Sequence, residues 1–242
     1  MTHYSYAHYA DRDVAEGFDA LRFSGPIGRY LLEQQETILR DALAPLGGRI
    51  ILDVGTGTGR AALSLAAQGA RVIGLDYSAE MLGVAAGRAR EQAVRVNFGR
   101  ADAQALPIAS KSVDAAVCLR LLMHVVDWRR AVGELCRVAR SRVVVDFPAA
   151  ASVAALESAA RRLKAAMGGT TEAYRVMSLA DVRAAFSEHG FRIVDVKRQF
   201  VLPIAMHKKV GRLGVTRGIE GALASVGLRR AFGSPVTVVA ER

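Results

Sequence analysis

Short apolar runs alternating with helix-like stretches restrict the fold of this chain more than any other feature. The runs are Arg49–Val54 (RIILDV), Arg71–Leu75 (RVIGL), Val94–Phe98, Val113–Leu119 (VDAAVCL) and Arg142–Phe147 (RVVVDF). Between them lie Thr58–Gln68, closed by Gly69, a stretch from Ser78 to about Gln92, and Asp127–Arg140. A serine or aspartate at a helix start can take up a free amide, and Glu80 in a first turn meets the positive end of the dipole. Repeated β-α units call for parallel strands with helices on both faces, because each crossover must pass over the sheet. The expected architecture is α/β: a Rossmann-like, doubly wound sheet.

The remainder extends that pattern. Ser24 before Pro26 reads as the start of a helix reaching about Leu43 and stopping near Pro45-Leu46-Gly47-Gly48. Residues 149–177 are alanine-rich and read as helical. Ser178 caps a further helix ended by Gly190, and Phe191–Phe200 and Pro235–Ala240 read as a sixth and a seventh strand. The 201–234 insertion between those strands has helical spacings at Met206, Val210 and Leu213, and again at Ile219, Leu223 and Val226, which suggest two short helices. We expect one domain over 1–242, with 1–45 as an N-terminal helical segment and 149–177 and 201–234 as caps. With 51% hydrophobic and 23% charged residues, the chain can bury a sizeable core. No apolar run approaches the roughly 20 residues of a membrane helix, and the N-terminus lacks the basic start and apolar stretch of a secretory signal. Cys118 and Cys136 sit in apolar surroundings and read as reduced core thiols, so a cytoplasmic location is expected.

The formal net charge is +10, which favours anionic partners. Most of the excess falls late: between Lys197 and Arg230 eight basic residues face one acid, Glu220.

The segment Asp53-Val54-Gly55-Thr56-Gly57-Thr58-Gly59 follows a strand and opens a helix. Glycines let the chain turn sharply and let a ligand lie against bare backbone. A dinucleotide loop would have its third glycine one residue later, where Arg60 stands, and an acid at Asp53 would oppose a pyrophosphate. Asp76 ends the second strand, 23 residues after Asp53, where a carboxylate can accept from two vicinal ribose hydroxyls. Asp102-Ala103, just past the third strand, can reach an adenine edge; on its own, Asp102 would read as a turn cap.

The runs ILDVGTGTGR, GLDYSAEML and RADAQALPIASKSVD together resemble class I S-adenosylmethionine (SAM) dependent methyltransferases of the small-molecule type, near the ubiquinone/menaquinone methyltransferase group. The likeness spans roughly residues 5–147 and returns at 178–200. It implies a seven-stranded sheet, mostly parallel with the last strand antiparallel, and SAM as cofactor. It also implies contacts from Asp53, Gly55, Gly57 and Gly59 near the methionine half, and from Asp76 and Tyr77 at ribose and adenine. Asp102 and Ala103 would lie at adenine, with Leu119 beside the cofactor. Gly57 is expected to lie against the methionine half of SAM with no room for a side chain. Ser24-Gly25-Pro26-Ile27-Gly28-Arg29 resembles the family segment whose arginine faces the SAM carboxylate, so Arg29 is a candidate there, although Gly28 stands where relatives often carry histidine. A solvated helix arginine is the alternative.

The catalytic residues are not fixed by the motifs. His124, in Leu122-Met123-His124-Val125, and His207, in the late insertion, are candidates for a base or a hydrogen-bonding group. Their alternatives are a loop-packing residue and a partly exposed residue on a basic helix. No metal site is read from the sequence. The acceptor expected is a small or lipid-like metabolite under the helical caps, with the basic insertion touching an anionic membrane surface or simply facing water. Two alternatives stay open: an RNA methyltransferase, which the charge suggests although no RNA-binding module is evident, and a non-catalytic SAM-binding protein. The sequence is silent on oligomeric state.

Overall fold

The computed structural model describes residues 12–153, 155 and 174–242. One sheet holds β1 (Ile50–Val54), β2 (Arg71–Asp76), β3 (Val96–Arg100), β4 (Val113–Cys118), β5 (Ala139–Phe147), β6 (Arg192–Phe200) and β7 (Ser234–Glu241). Their order is β3-β2-β1-β4-β5-β7-β6. Strands β1 to β5 pair in parallel, and β7 runs antiparallel to both β5 and β6. The expected seven-stranded Rossmann-like sheet with an antiparallel last strand is what forms.

The helices among the described residues are α1 (Arg12–Phe23), α2 (Gly25–Leu43), α3 (Arg60–Ala67), α4 (Ala79–Glu91), α5 (Trp128–Val138), α6 (Leu179–Ser187), α7 (Ile204–Val210), α8 (Leu213–Ser225) and α9 (Leu228–Phe232). Successive strand residues point to opposite faces. Leu52, Val54, Cys118 and Val145 therefore pack with Leu135, Phe186 and Phe191 on one side, while Ile51, Val117, Val144 and Val239 pack with Leu39, Leu43 and Leu65 on the other. The central strands are buried on both faces and so read as continuous apolar runs. Each fully buried leucine or phenylalanine contributes about 1.5–3 kcal/mol.

The caps read from sequence form: the Ser78, Asp127 and Ser178 side chains accept from the amides of Met81, Arg130 and Asp181. Some boundaries move. The third strand starts at Val96, not Val94, because the Val94 amide donates to the Ala89 carbonyl as α4 ends, with Ala93 in the left-handed region (φ 53°). The fifth strand begins at Ala139, directly after α5, since Ala139 already pairs with Val113. The late insertion makes three helices, not two: Gly211 and Gly227, at φ 65° and 81°, divide it. Helix α1 falls within the 1–45 segment read as helical, ahead of the one helix whose start is read at Ser24. Of the helix expected over 149–177, residues 154 and 156–173 lie outside the described residues.

Candidate functional site

The strand order reverses between β1 and β4, and open α/β sheets bind ligands in the crevice outside the carboxyl ends at such a point. Two loops meet there: the glycine loop after β1 and residues 119–125 after β4. Gly55, Gly57 and Gly59 have φ of 71°, 56° and 81°, a region that other residues enter only at a cost. Their surroundings differ. A Cβ on Gly55 would lie 2.7 Å from Leu121 Cδ2, so this glycine lets the two loops touch. A Cβ on Gly59 would lie 2.9 Å from Ala85 Cβ, so this one seats the start of α3 against α4. A Cβ on Gly57 would meet nothing within 4 Å. No protein atom crowds that position; it faces open space, and only its φ demands glycine.

Asp76 ties the loop down. Its Oδ2 accepts from the Gly57 amide at 2.8 Å and its Oδ1 from the Ser78 amide at 2.9 Å. Burial raises its pKa, and the amides of Ser78, Gly57 and Tyr77 oppose that rise. With three amides on about four lone-pair sites, the carboxylate keeps one for a ligand. Asp53 lies deeper, 2% exposed, and its Oδ2 accepts from Thr56 Oγ1 at 2.7 Å. Burial pushes its pKa up to about 6, opposed by the Thr56 hydrogen bond and reinforced by the nearby Asp76 charge.

A cleft opens beside this loop. Gly55, Asp76 and Tyr77 form one side, Asp102 and Ala103 another, and Leu121, His124 and Val125 the third. Tyr77 is exposed, with the Arg100 guanidinium 4.9 Å above its ring. Asp102 both lines the cleft and caps a turn, its Oδ1 accepting from the Gln104 amide at 2.8 Å. His124 is buried in a short 3-10 turn, Leu122–His124. Leu119 packs half-buried against the core, and Arg29 is exposed on α2; neither belongs to the cleft lining.

A second cavity, of about 580 Å³, adjoins the first. Its walls are Arg120 and Met123 from the β4 loop, Asp146, Phe147 and Pro148 from the end of β5, Phe200 to Ala205 leaving β6, and Ser234 and Pro235 opening β7. Val153 and Tyr174 complete it. Most of that surface is apolar. Its charged end is Asp146 with Arg120: the Arg120 backbone amide donates to Asp146 Oδ1. Asp146 is 4% exposed, and burial raises its pKa while the Arg120 charge opposes. Burial lowers the Arg120 pKa, with Asp146 opposing. Arg120 holds φ 55°, a strained conformation for a non-glycine residue and of a kind that clusters at functional sites.

His207 lies elsewhere. It is 3% exposed, its Nε2 sits 2.9 Å from Glu220 Oε1, and it belongs to neither lining. The expected partly exposed histidine is therefore a buried one. Glu220 also accepts from the amides of Val201 (2.9 Å) and Leu202 (3.0 Å), so the pair clamps the chain where it leaves β6. The one acid in the basic segment is thus an internal strut.

Sequence reading missed three features. Asp19 on α1 hydrogen-bonds Thr58 Oγ1 at 3.1 Å and pairs with Arg60 (3.2 Å) and Arg88, pinning α1 over the glycine loop. Phe23 lies between guanidiniums, 3.6 Å from Arg60 and 5.3 Å from Arg120. Asp146 was visible only as an interruption in an apolar run. The first two depend on α1 docking over the glycine loop, a long-range contact that no local pattern announces.

Residues 52–145 match the family described as a methyltransferase domain. The demethylmenaquinone methyltransferase of Thermus thermophilus is 40% identical over 103 residues, which cover 40% of this chain and 47% of that protein. The ubiquinone biosynthesis O-methyltransferase of Coxiella burnetii is 33% identical over 112 residues, covering 46% and 44%. The chain thus spans about half the length of the curated relatives it matches. Among solved structures, the magnesium protoporphyrin IX methyltransferase of Synechocystis with bound SAM superposes with a TM-score of 0.62 at 20% identity, covering 96% of this chain and 94% of that one.

Proposed function

We infer that this chain, a class I SAM-dependent methyltransferase, holds SAM in the cleft beside the glycine loop and methylates a small-molecule or lipid-like acceptor in the adjoining cavity. The observation that carries the reading is a shared wall: residues 120–125 turn Leu121, His124 and Val125 to the cleft, and Arg120 and Met123 to the cavity. SAM, when bound, supplies a methyl group already activated on a sulfonium. What remains for the protein is to hold the acceptor in line, within about 3–3.5 Å, and to exclude water.

The residues lining the cleft, with Asp53 and Gly57 beside it in the same loop, fit such a ligand. Gly57 leaves open space where a ligand would rest. Asp76 has a lone pair left for a ribose hydroxyl, Tyr77 offers a face, and Asp102 and Ala103 suit an adenine edge. Asp53, when ionised, suits the ammonium group of the methionine half, with Gly55 against its backbone. Gly59 and Leu119 act by holding the loops in place. Arg29 would reach a carboxylate only from outside the cleft.

The cavity suits an acceptor that is mostly apolar with one polar end. We assign Asp146 to meet that end and take a proton from an acceptor hydroxyl, because a carboxylate whose pKa is raised by burial is a better base near neutral pH. His207 is engaged with Glu220, so the base expected of it passes to Asp146. In this reading 1–242 works as one domain, and the 201–234 cap supplies the outer wall of the acceptor cavity.

The test is methyl transfer from methyl-labelled SAM into a cell extract, alongside calorimetry with SAM. The expected result is saturable SAM binding and label in an organic-extractable product. A chain that binds no SAM, or that labels only RNA, overturns the proposal.

A further inference from the structure

Nine large apolar side chains are exposed among the described residues, and six of them lie in 201–234: Met206, Val210, Val215, Ile219, Val226 and Phe232. Their spacing is regular. Met206 and Val210 are one turn apart on α7. Val215, Ile219 and Val226 fall four and then seven residues apart along α8 and just past its end, so they share one helical stripe, distinct from that of the buried Thr216 and Glu220. Clusters of exposed apolar side chains on one segment mark contact surfaces, unlike scattered single ones.

The charge around these stripes has one sign. Lys209, Arg212, Arg217, Arg229 and Arg230 are all exposed. Glu220 is the sole acid in 201–234 and is turned inward onto His207. Lys208 does not belong with the outer set: it is half-buried, and burial and then the Arg120 and Arg22 charges lower its pKa. Apolar stripes interleaved with cations on short helices fit the boundary of an anionic bilayer, where the rings and methyls enter the acyl edge and the cations meet headgroups. A nucleic acid would use the cations but offers nothing to the apolar stripes.

We propose that the outer face of the 201–234 cap docks on an anionic lipid surface. Ile204 and Ala205 of α7 line the 580 Å³ cavity while Met206 and Val210 of the same helix are exposed. A docked cap would therefore set the acceptor cavity one helix away from the membrane. That last consequence rests on the acceptor reading; the docking itself does not.

Sedimentation tests it with phosphatidylcholine vesicles carrying about a third phosphatidylglycerol, against pure phosphatidylcholine, at low salt. Wild-type protein should partition onto the anionic vesicles. Each basic residue at an anionic surface is worth about fivefold, so K209E/R212E/R229E/R230E should lose at least ~100-fold. I219S/V226S should lose several-fold, most visibly at high salt. Both variants should bind SAM as wild type does, which establishes that they are folded and keeps this test separate from catalysis. Wild-type protein that ignores anionic vesicles, charge reversal that changes nothing, or cation-dependent binding to RNA but not to vesicles would each overturn the proposal.

Discussion

The two sides of the site are built differently. The side proposed for the cofactor, from β1 to β3, uses backbone and short carboxylates: three positive-φ glycines, Asp76 accepting from the amides of Gly57, Ser78 and Tyr77, and Asp53 beneath them. Its residues cluster in short loops immediately after strands. The cavity proposed for the acceptor draws side chains from the β4 loop, the end of β5, residues 200–205 and the start of β7, segments far apart in the chain. A ligand that never changes can be held by local backbone geometry. An acceptor pocket needs shape, and shape comes from long-range packing of a late insertion.

The contrast can be broken in several ways, starting with the largest expected effect. Asp146→Asn keeps size and polarity but cannot accept a proton at neutral pH. Transfer to a hydroxyl acceptor should fall by about 10²–10³-fold, with SAM affinity unchanged. Labelled-SAM kinetics across pH should also lose their acidic limb; an unaltered pH profile would remove Asp146 from the chemistry. Next, Glu220→Ala strips an acceptor from two amides and leaves His207 buried alone. Losing such a partner costs about 3 kcal/mol. Hydrogen exchange should rise within 201–234 and not around β1 and β2.

Asp76→Ala should weaken SAM binding by about 1–3 kcal/mol in calorimetry. Because Asp76 also holds Gly57 and Ser78, some of that loss reflects a looser loop, and Asp76→Asn, which keeps one acceptor oxygen, should lose less. The smallest effect concerns pH. The folded pKa of Asp53 is raised to about 6, from 3.8. The native state therefore binds more protons than the unfolded one between those values, and the stability of the free protein declines as pH rises from about 4 to about 6. SAM's ammonium group requires the ionised form, so affinity should rise about tenfold between pH 5 and 7. Asp53→Asn should flatten that slope.

This contrast also governs what the sequence reveals. The β-α alternation, the caps at Ser78, Asp127 and Ser178, and the glycine loop are short-range patterns, and each forms as read. Asp76, Tyr77, Asp102 and Ala103 converge on one cleft because each follows its strand directly. Asp146 gives no such sign: a single aspartate before a proline in an apolar strand looks like a strand end. The fate of His207 depended on Glu220 thirteen residues away and on three helices packing together. Arg120 is a left-handed arginine whose importance comes from a strand that follows twenty residues later. Asp19 reaches the glycine loop only because α1 docks, a contact between residues 39 positions apart.

The central claim is that cofactor and acceptor occupy separate compartments sharing the 120–125 wall. Leu202→Trp tests it most directly, since Leu202 lines the cavity and is absent from the cleft lining. Titrating this variant with SAM while following label transfer should give wild-type SAM affinity with transfer reduced at least ~100-fold. Lost SAM affinity, or transfer at the wild-type rate with the cavity filled, would contradict the account.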